Sequence, residues 1–278
     1  AASSLASASS NTIAMIVPSL SEAGCAEMFA GLQKVLQPAG YQIMPAESQH
    51  RIEREEKLLE TLLSYNLAAA ILLSVEHSAN VRQWLDNLTI PVLEIGALTD
   101  SPIDMNIGID YVEAMYQLTQ TVVAKGYQNI GMLCANQEQW IFQQHLQGWR
   151  KAMLKAHMSP HRVINAAEPA CFSTGAQQLP EFLLAWPEID ALVCVSDDLA
   201  CGALYECQRR RIKVPDELAV VGFGNSDVSK VCQPPLTTIA IPHKEIGVRA
   251  AQALLARIND EEWEEVMIAS SLCKRDSC

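Results

Sequence analysis

The sequence predicts an α/β protein of two doubly wound lobes, each a mostly parallel sheet with helices on both faces. Three observations predict it. Apolar runs of strand length alternate with longer amphipathic stretches, the pattern of successive βα units. The alternation runs twice, restarting after Gly108-Ile109-Asp110. The chain has 278 residues, 49% of them hydrophobic. That length exceeds the common domain size of about 100–150 residues, and the composition supplies material for two cores.

In the first series Ile13–Val17 reads as a strand, Cys25–Gln37 as a helix and Tyr41–Met44 as a strand. Ile52–Tyr65 follows as a helix, Ala69–Leu73 as a strand, Asn80–Asn87 as a helix and Val92–Ile95 as a strand. The helical period is clearest over Glu55–Tyr65, where Leu58, Leu59, Leu62 and Leu63 share one face and Glu56, Lys57 and Glu60 lie outside it. The second series takes Val112–Ala124 as a helix, Asn129–Leu133 as a strand, and Gln139–Ala156 and Gly175–Ala185 as helices. Ala191–Val195 is then a strand, Leu199–Arg210 a helix and Leu218–Phe223 a strand. Pro234-Pro235 and Pro242 punctuate a short strand, Thr238–Ile241, before a last long helix, Lys244–Asp260, and a closing segment, Val266–Cys278. Two lobes with a helix left over imply that the chain crosses between them more than once. Open parallel sheets bind ligands at the carboxyl ends of their strands. The ligand cleft is therefore expected between the lobes, an arrangement suited to sensing.

Composition excludes several functions. A formal net charge of -12 and a pI near 4.9 argue against this surface holding DNA by itself, because duplex binding rests on Lys and Arg neutralising phosphates. The longest apolar stretch, Leu67–Val75, is about half the length that a membrane-spanning helix needs. No charged and then apolar leader of the secretory kind opens the sequence. Nine cysteines, several inside strand-like runs such as Ala191–Val195, fit buried free thiols in a reducing cytoplasm. With no C-x-x-C pair and no zinc-type His/Cys spacing, neither metal nor cofactor is expected. No G-x-S-x-G elbow, phosphate loop or H-E-x-x-H motif is present, and the carboxylates of Asp260-Glu261-Glu262 and Glu264-Glu265 read as solvated surface. The chain is not expected to be an enzyme.

Several segments resemble one family. Val195-Ser196-Asp197-Asp198-Leu199-Ala200-Cys201-Gly202-Ala203 is the strongest, followed by Val214–Phe223, Pro235-Leu236-Thr237-Thr238-Ile239, Gly247–Leu255 and Arg275-Asp276-Ser277. In this order they are similar to the effector-binding core of the lactose-repressor family of bacterial transcription regulators, whose fold is like that of type I periplasmic sugar-binding proteins. The leader Ala1–Ser10, with its single Leu5, resembles that family's DNA hinge, in which the residue aligned with Leu5 wedges into the minor groove. The resemblance implies a DNA-binding head absent from this chain, residues 1–11 as a hinge remnant, an N-terminal lobe of 12–110 and 242–265, and a C-terminal lobe of 111–241 and 266–278. Within the family, Ser19-Leu20-Ser21, Leu62–Asn66, Pro91–Glu94 and Cys207-Gln208-Arg209 are most like repressors of gluconate and idonate use, which points to a sugar acid.

Ligand-binding residues follow from strand ends and from the resemblance. Ser19 and Ser21 lie after the first strand, where their hydroxyls either contact a ligand or cap the next helix. His77, past the strand Ala69–Leu73, either offers an imidazole to a carboxylate or is an exposed loop histidine. Glu94 accepts ligand hydroxyls or sits at the solvent edge. Tyr111 stands where the family commonly has an amide, His145 where many relatives carry an arginine, Ser196 where asparagine is usual, and Gly224, after Phe223, where sugar binders place an aspartate. Losing that aspartate favours an anion, whereas losing the arginine removes a bidentate clamp. Asp197 contacts the ligand, caps the following helix, or does both.

The function implied is the ligand-sensing and dimerisation domain of a cytoplasmic repressor responding to a small carbohydrate, most simply a sugar acid such as gluconate. Its partners are the effector, a second copy as a homodimer, and operator DNA through the head. Helix Gly24–Gln37, with Cys25, Met28 and Phe29, is a candidate for part of the dimer surface. The alternative is a solute-binding protein of a sugar transporter.

Overall fold

The structure, a computed structural model, describes residues 10–135, 139–264 and 266–278. Leu5 lies outside the described residues. The chain forms two compact units: the first runs to Ile109 and takes up Pro242–Ile268, and the second holds Asp110–Ile241 and Ala269–Cys278.

In chain order the first unit supplies β1 (Thr12–Val17), α1 (Ala23–Leu36), β2 (Gln42–Glu47), α2 (Ile52–Leu62), β3 (Ala69–Leu72), α3 (Ala79–Asp86), β4 (Val92–Ala97) and β5 (Met105–Ile109). The second supplies α4 (Tyr111–Ala124), β6 (Ile130–Ala135), α5 (Gln139–Lys155), β7 (Val163–Ala166), α6 (Phe172–Ala185), β8 (Ala191–Cys194), α7 (Asp197–Arg210), β9 (Ala219–Gly224), α8 (Asp227–Val231) and β10 (Thr237–Ala240). Then α9 (His243–Ile258) returns to the first unit and β11 (Ser271–Cys273) closes the second.

The first sheet, ordered β2-β1-β3-β4-β5, is parallel throughout, with Ile13 opposite Ala69 and Ile71 opposite Leu93. Side chains alternate across it. Ala14, Ile16, Leu72 and Val92 meet Leu59 and Leu62 of α2 and Val81 and Leu85 of α3, while Ile13, Met15, Ile71 and Leu93 are fully buried on the opposite face. There α1 packs along α9 at glycines: a Cβ on Gly247 would lie 2.2 Å from the Met28 carbonyl oxygen. Cys25 and Met28, proposed for a dimer surface, are buried within this unit. Their apolar side chains serve the unit's own packing.

The second sheet, ordered β11-β10-β9-β8-β6-β7, is parallel except for β11, which runs antiparallel to β10. Trp149 of α5 and Phe182 of α6 are its largest fully buried side chains. Among the described residues no helix is long and apolar enough to cross a membrane.

Some elements depart from the sequence reading. β5 and β7 were not anticipated: the first is interrupted by Asn106 and Gly108, and the second is only 4 residues long at a sheet edge. β2 continues past Met44 through Pro45 to Glu47, which an edge strand tolerates because one side of it needs no ladder donor.

Candidate functional site

The candidate residues of the second unit gather at the carboxyl ends of its strands and at the start of α4. Asp110 caps α4 by accepting a hydrogen bond from the Glu113 amide at 2.9 Å, which presents Tyr111 as the first helical residue. His145 comes from α5 and Phe223 from the end of β9. The three rings form one cluster. Tyr111 and Phe223 stack with centroids 5.8 Å apart at 14°, and His145 meets them edge-on at 5.2 and 5.0 Å, the offset and T-shaped geometries that aromatic quadrupoles favour. His145 is 2% exposed. Burial withholds the water that would solvate an imidazolium and holds its pKa down to about 3, so the ring is neutral at pH 7.

At the end of β8, Ser196 caps α7, its hydroxyl accepting from the Leu199 amide at 3.2 Å. Asp197, a candidate for that cap, is instead the first helical residue and is buried. Its Oδ1 accepts from the Thr238 hydroxyl at 2.6 Å, and its Oδ2 from the Ser226 amide and hydroxyl at 2.6 and 2.9 Å. The cap belongs to Ser196 because the turn directs the Asp197 carboxylate toward β9 and β10. Gly222 leaves room for it, since a Cβ there would lie 2.4 Å from Oδ1. Burial raises the Asp197 pKa, opposed by the Thr238 and Ser226 hydrogen bonds and by the charge of Arg275.

Gly224 ends β9 with φ at 128°, a conformation that L side chains rarely adopt. An aspartate side chain would be strained on this backbone. Asn225 follows, its Oδ1 accepting from Arg275 at 2.6 Å, while the same guanidinium donates to the Leu236 carbonyl at 2.6 Å and to the Ser229 hydroxyl at 3.2 Å. Arg275 and Asn225 did not figure among the expected site residues. The signal for Arg275 was its place in the closing family segment.

In the first unit, the Ser19 and Ser21 hydroxyls lie 2.8 Å apart, and the Ser21 amide donates to Ser19 Oγ at 3.3 Å. Neither caps α1, which begins at Ala23 with Glu22 at the cap position. The serines bond within their own turn instead. Glu94 is fully buried and not at a solvent edge; its Oε2 accepts from the Ile103 amide at 2.8 Å. The His77 side chain has no exposed surface. Its Nδ1 is 2.8 Å from Glu55 Oε1, and its Nε2 is 3.3 Å from Glu94 Oε1. Burial alone would lower the His77 pKa, but the two carboxylates, Glu55 before Glu94, outweigh it and raise the value to about 9. The imidazolium is thus engaged by two glutamates inside the unit. Glu55 was missed in the sequence, although it shares the α2 face of Leu59 and Leu62, an i, i+4, i+7 series in which a carboxylate needs a buried partner.

Among the described residues no group of three or more His, Cys, Asp or Glu side chains is arranged to hold a metal ion. The strand ends of the second unit bring together three rings, hydroxyls and one charge-compensated carboxylate, Asp197.

The chain is similar to known proteins along most of its length. A family model described as a periplasmic-binding-protein-like domain matches residues 119–278. The chain is 34% identical over 265 residues to the HTH-type transcriptional regulator GntR of Escherichia coli K12, covering 95% of this chain and 79% of that one. It is 29% identical over 258 residues to the regulator IdnR of the same organism, covering 93% and 77%. The crystal structure of a LacI family transcriptional regulator from Silicibacter pomeroyi superposes with a TM-score of 0.91 at 27% identity, covering 96% of this chain and 98% of that one.

Proposed function

Because this chain belongs to the LacI family of transcriptional regulators, we propose that it senses a sugar acid of the gluconate type and passes that signal to operator binding. The observation that carries the reading is the 34% identity to GntR along 95% of this chain. The likeness to IdnR and the segments Ser19-Leu20-Ser21 and Leu62–Asn66 support the acid in particular. The chain is not an enzyme, since the relatives that define its family are transcriptional regulators. They give no support to a transporter's solute-binding protein.

The geometry supports an anionic ligand at the strand ends of the second unit. Tyr111, Phe223 and the neutral His145 supply apolar faces and a hydrogen-bonding imidazole, and Ser196 supplies a hydroxyl. Gly224 removes a carboxylate that would repel an acid, while Arg275 compensates the charge of Asp197. Asp197 then acts on the ligand through Ser226, whose hydroxyl it orients. In the first unit, taken by itself, Ser19, Ser21 and Glu94 are proposed ligand contacts, with His77 fixing the Glu94 carboxylate. Leu5 is the proposed hinge residue. In this reading the regulator works in the cytoplasm as a homodimer, whose second-unit surface includes the exposed Phe172, Tyr205 and Val231.

Thermal melting in a panel of gluconate, idonate, related aldonates and matched neutral sugars tests the reading. A ligand at one hundred times its Kd adds about 2.7 kcal/mol of stability. A selective rise with an aldonate is expected; a rise with neutral sugars alone sinks the acid assignment.

A further inference from the structure

The second unit carries a cavity of about 850 Å³ that the effector reading does not use. It lies between α4, the end of α5 and the edge strand β11. Lys125, Lys155 and Lys274 line it together with Gln117, Gln120 and Thr121, and apolar side chains complete the walls. Among its lining residues there is no Asp or Glu, although the chain has 32 acidic residues against 20 Lys and Arg. Composition alone favours the opposite sign.

The lysines differ in what else they do. Lys125 donates to the main-chain oxygen of Cys278. Lys155 donates to the Tyr116 hydroxyl at 2.8 Å, which uses one of its three N–H bonds. The neighbouring Glu113 is paired with Lys151 at 3.3 Å. Lys125 and Lys155 also stand at the ends of α4 and α5, where cations offset the helix dipoles. Lys274 follows β11 and serves no helix, so that explanation does not cover it.

We propose that this cavity is a second binding site, for the phosphate monoester of a sugar-sized polyol. Lys155 and Lys274 meet the phosphate dianion as two compact point charges. Gln117, Gln120 and Thr121 meet its hydroxyls. The volume falls within the range of about 300–1,000 Å³ usual for small-molecule sites.

Calorimetric titration of the whole chain with glucose 6-phosphate tests this, with glucose, inorganic phosphate and hexaglutamate as comparison probes. Saturable binding is expected, weakened at least about tenfold in the double variant Lys155→Gln, Lys274→Gln. The aldonate melting shift should be the same in that variant as in the parent, which separates this site from the effector site. Because Lys155 also bonds Tyr116, Lys274→Gln alone carries the test if the double variant melts early, and it too should weaken binding several-fold. Four results would overturn the proposal: no saturable binding, binding unchanged by Lys274→Gln, inorganic phosphate binding as tightly as the ester, or binding of hexaglutamate alone.

Discussion

At the end of β8 one carboxylate holds three hydrogen bonds, and removing it measures what they contribute. Replacing Asp197 with alanine strands the Thr238 hydroxyl and the Ser226 amide and hydroxyl in a site where Thr238 has no exposed surface. Urea unfolding is expected to show a loss of about 2–4 kcal/mol, with Asp197→Asn losing less because an acceptor remains. An alanine variant as stable as the parent contradicts the network. His77 gives a pH-dependent counterpart. Its folded pKa, about 9 against an ordinary 6.5, means that its stabilisation is complete below pH 6.5 and is lost as pH rises through 9. A shift of that size corresponds to roughly 3 kcal/mol. His145 has the opposite sign: with its folded pKa held down to about 3, stability is present above pH 6.5 and is lost as pH falls below it. Unfolding of His77→Gln should lack the alkaline decline and keep the acid one; an unchanged alkaline slope would remove His77 as its source.

Helices α1 and α9 can lie side by side only because Gly31 and Gly247 bring their backbones together. A Cβ on Gly247 would meet the Met28 carbonyl at 2.2 Å, backbone that cannot rotate away as a side chain does. Gly247→Ala is therefore expected to cost about 1–3 kcal/mol in a denaturant melt, whereas alanine at Gly126, which would meet nothing within 4 Å, tests only its positive φ of 93°. At this scale the sequence is readable where periodicity is uninterrupted. The parallel sheets, α2 with its leucine face and the long α9 all follow from apolar spacing. β5 does not, because Asn106 breaks its apolar run. The structure satisfies that amide by donation to the carbonyls of Glu94 and Ala97 and acceptance from the Thr99 amide, contacts that no local pattern encodes. The same limit applies to the candidate site. Tyr111, His145 and Phe223 were each identifiable, but their ring cluster joins α4, α5 and β9. Glu55 and His77 are 22 positions apart, so their pairing depends on β3 lying beside α2.

The whole chain is acidic, with a formal charge of -12, and its family places it in operator regulation. In the function proposed above, this chain contributes the sensing step. A ligand that binds one state of the regulator better than another shifts operator affinity by that difference alone. Which ligand binds is therefore the question that calorimetric titration of the chain with gluconate, and separately with glucose, answers. Saturable binding of gluconate is expected at one site per chain, about tenfold or more tighter than glucose, and weakened by Tyr111→Ala. Glucose binding with gluconate inert would overturn the assignment.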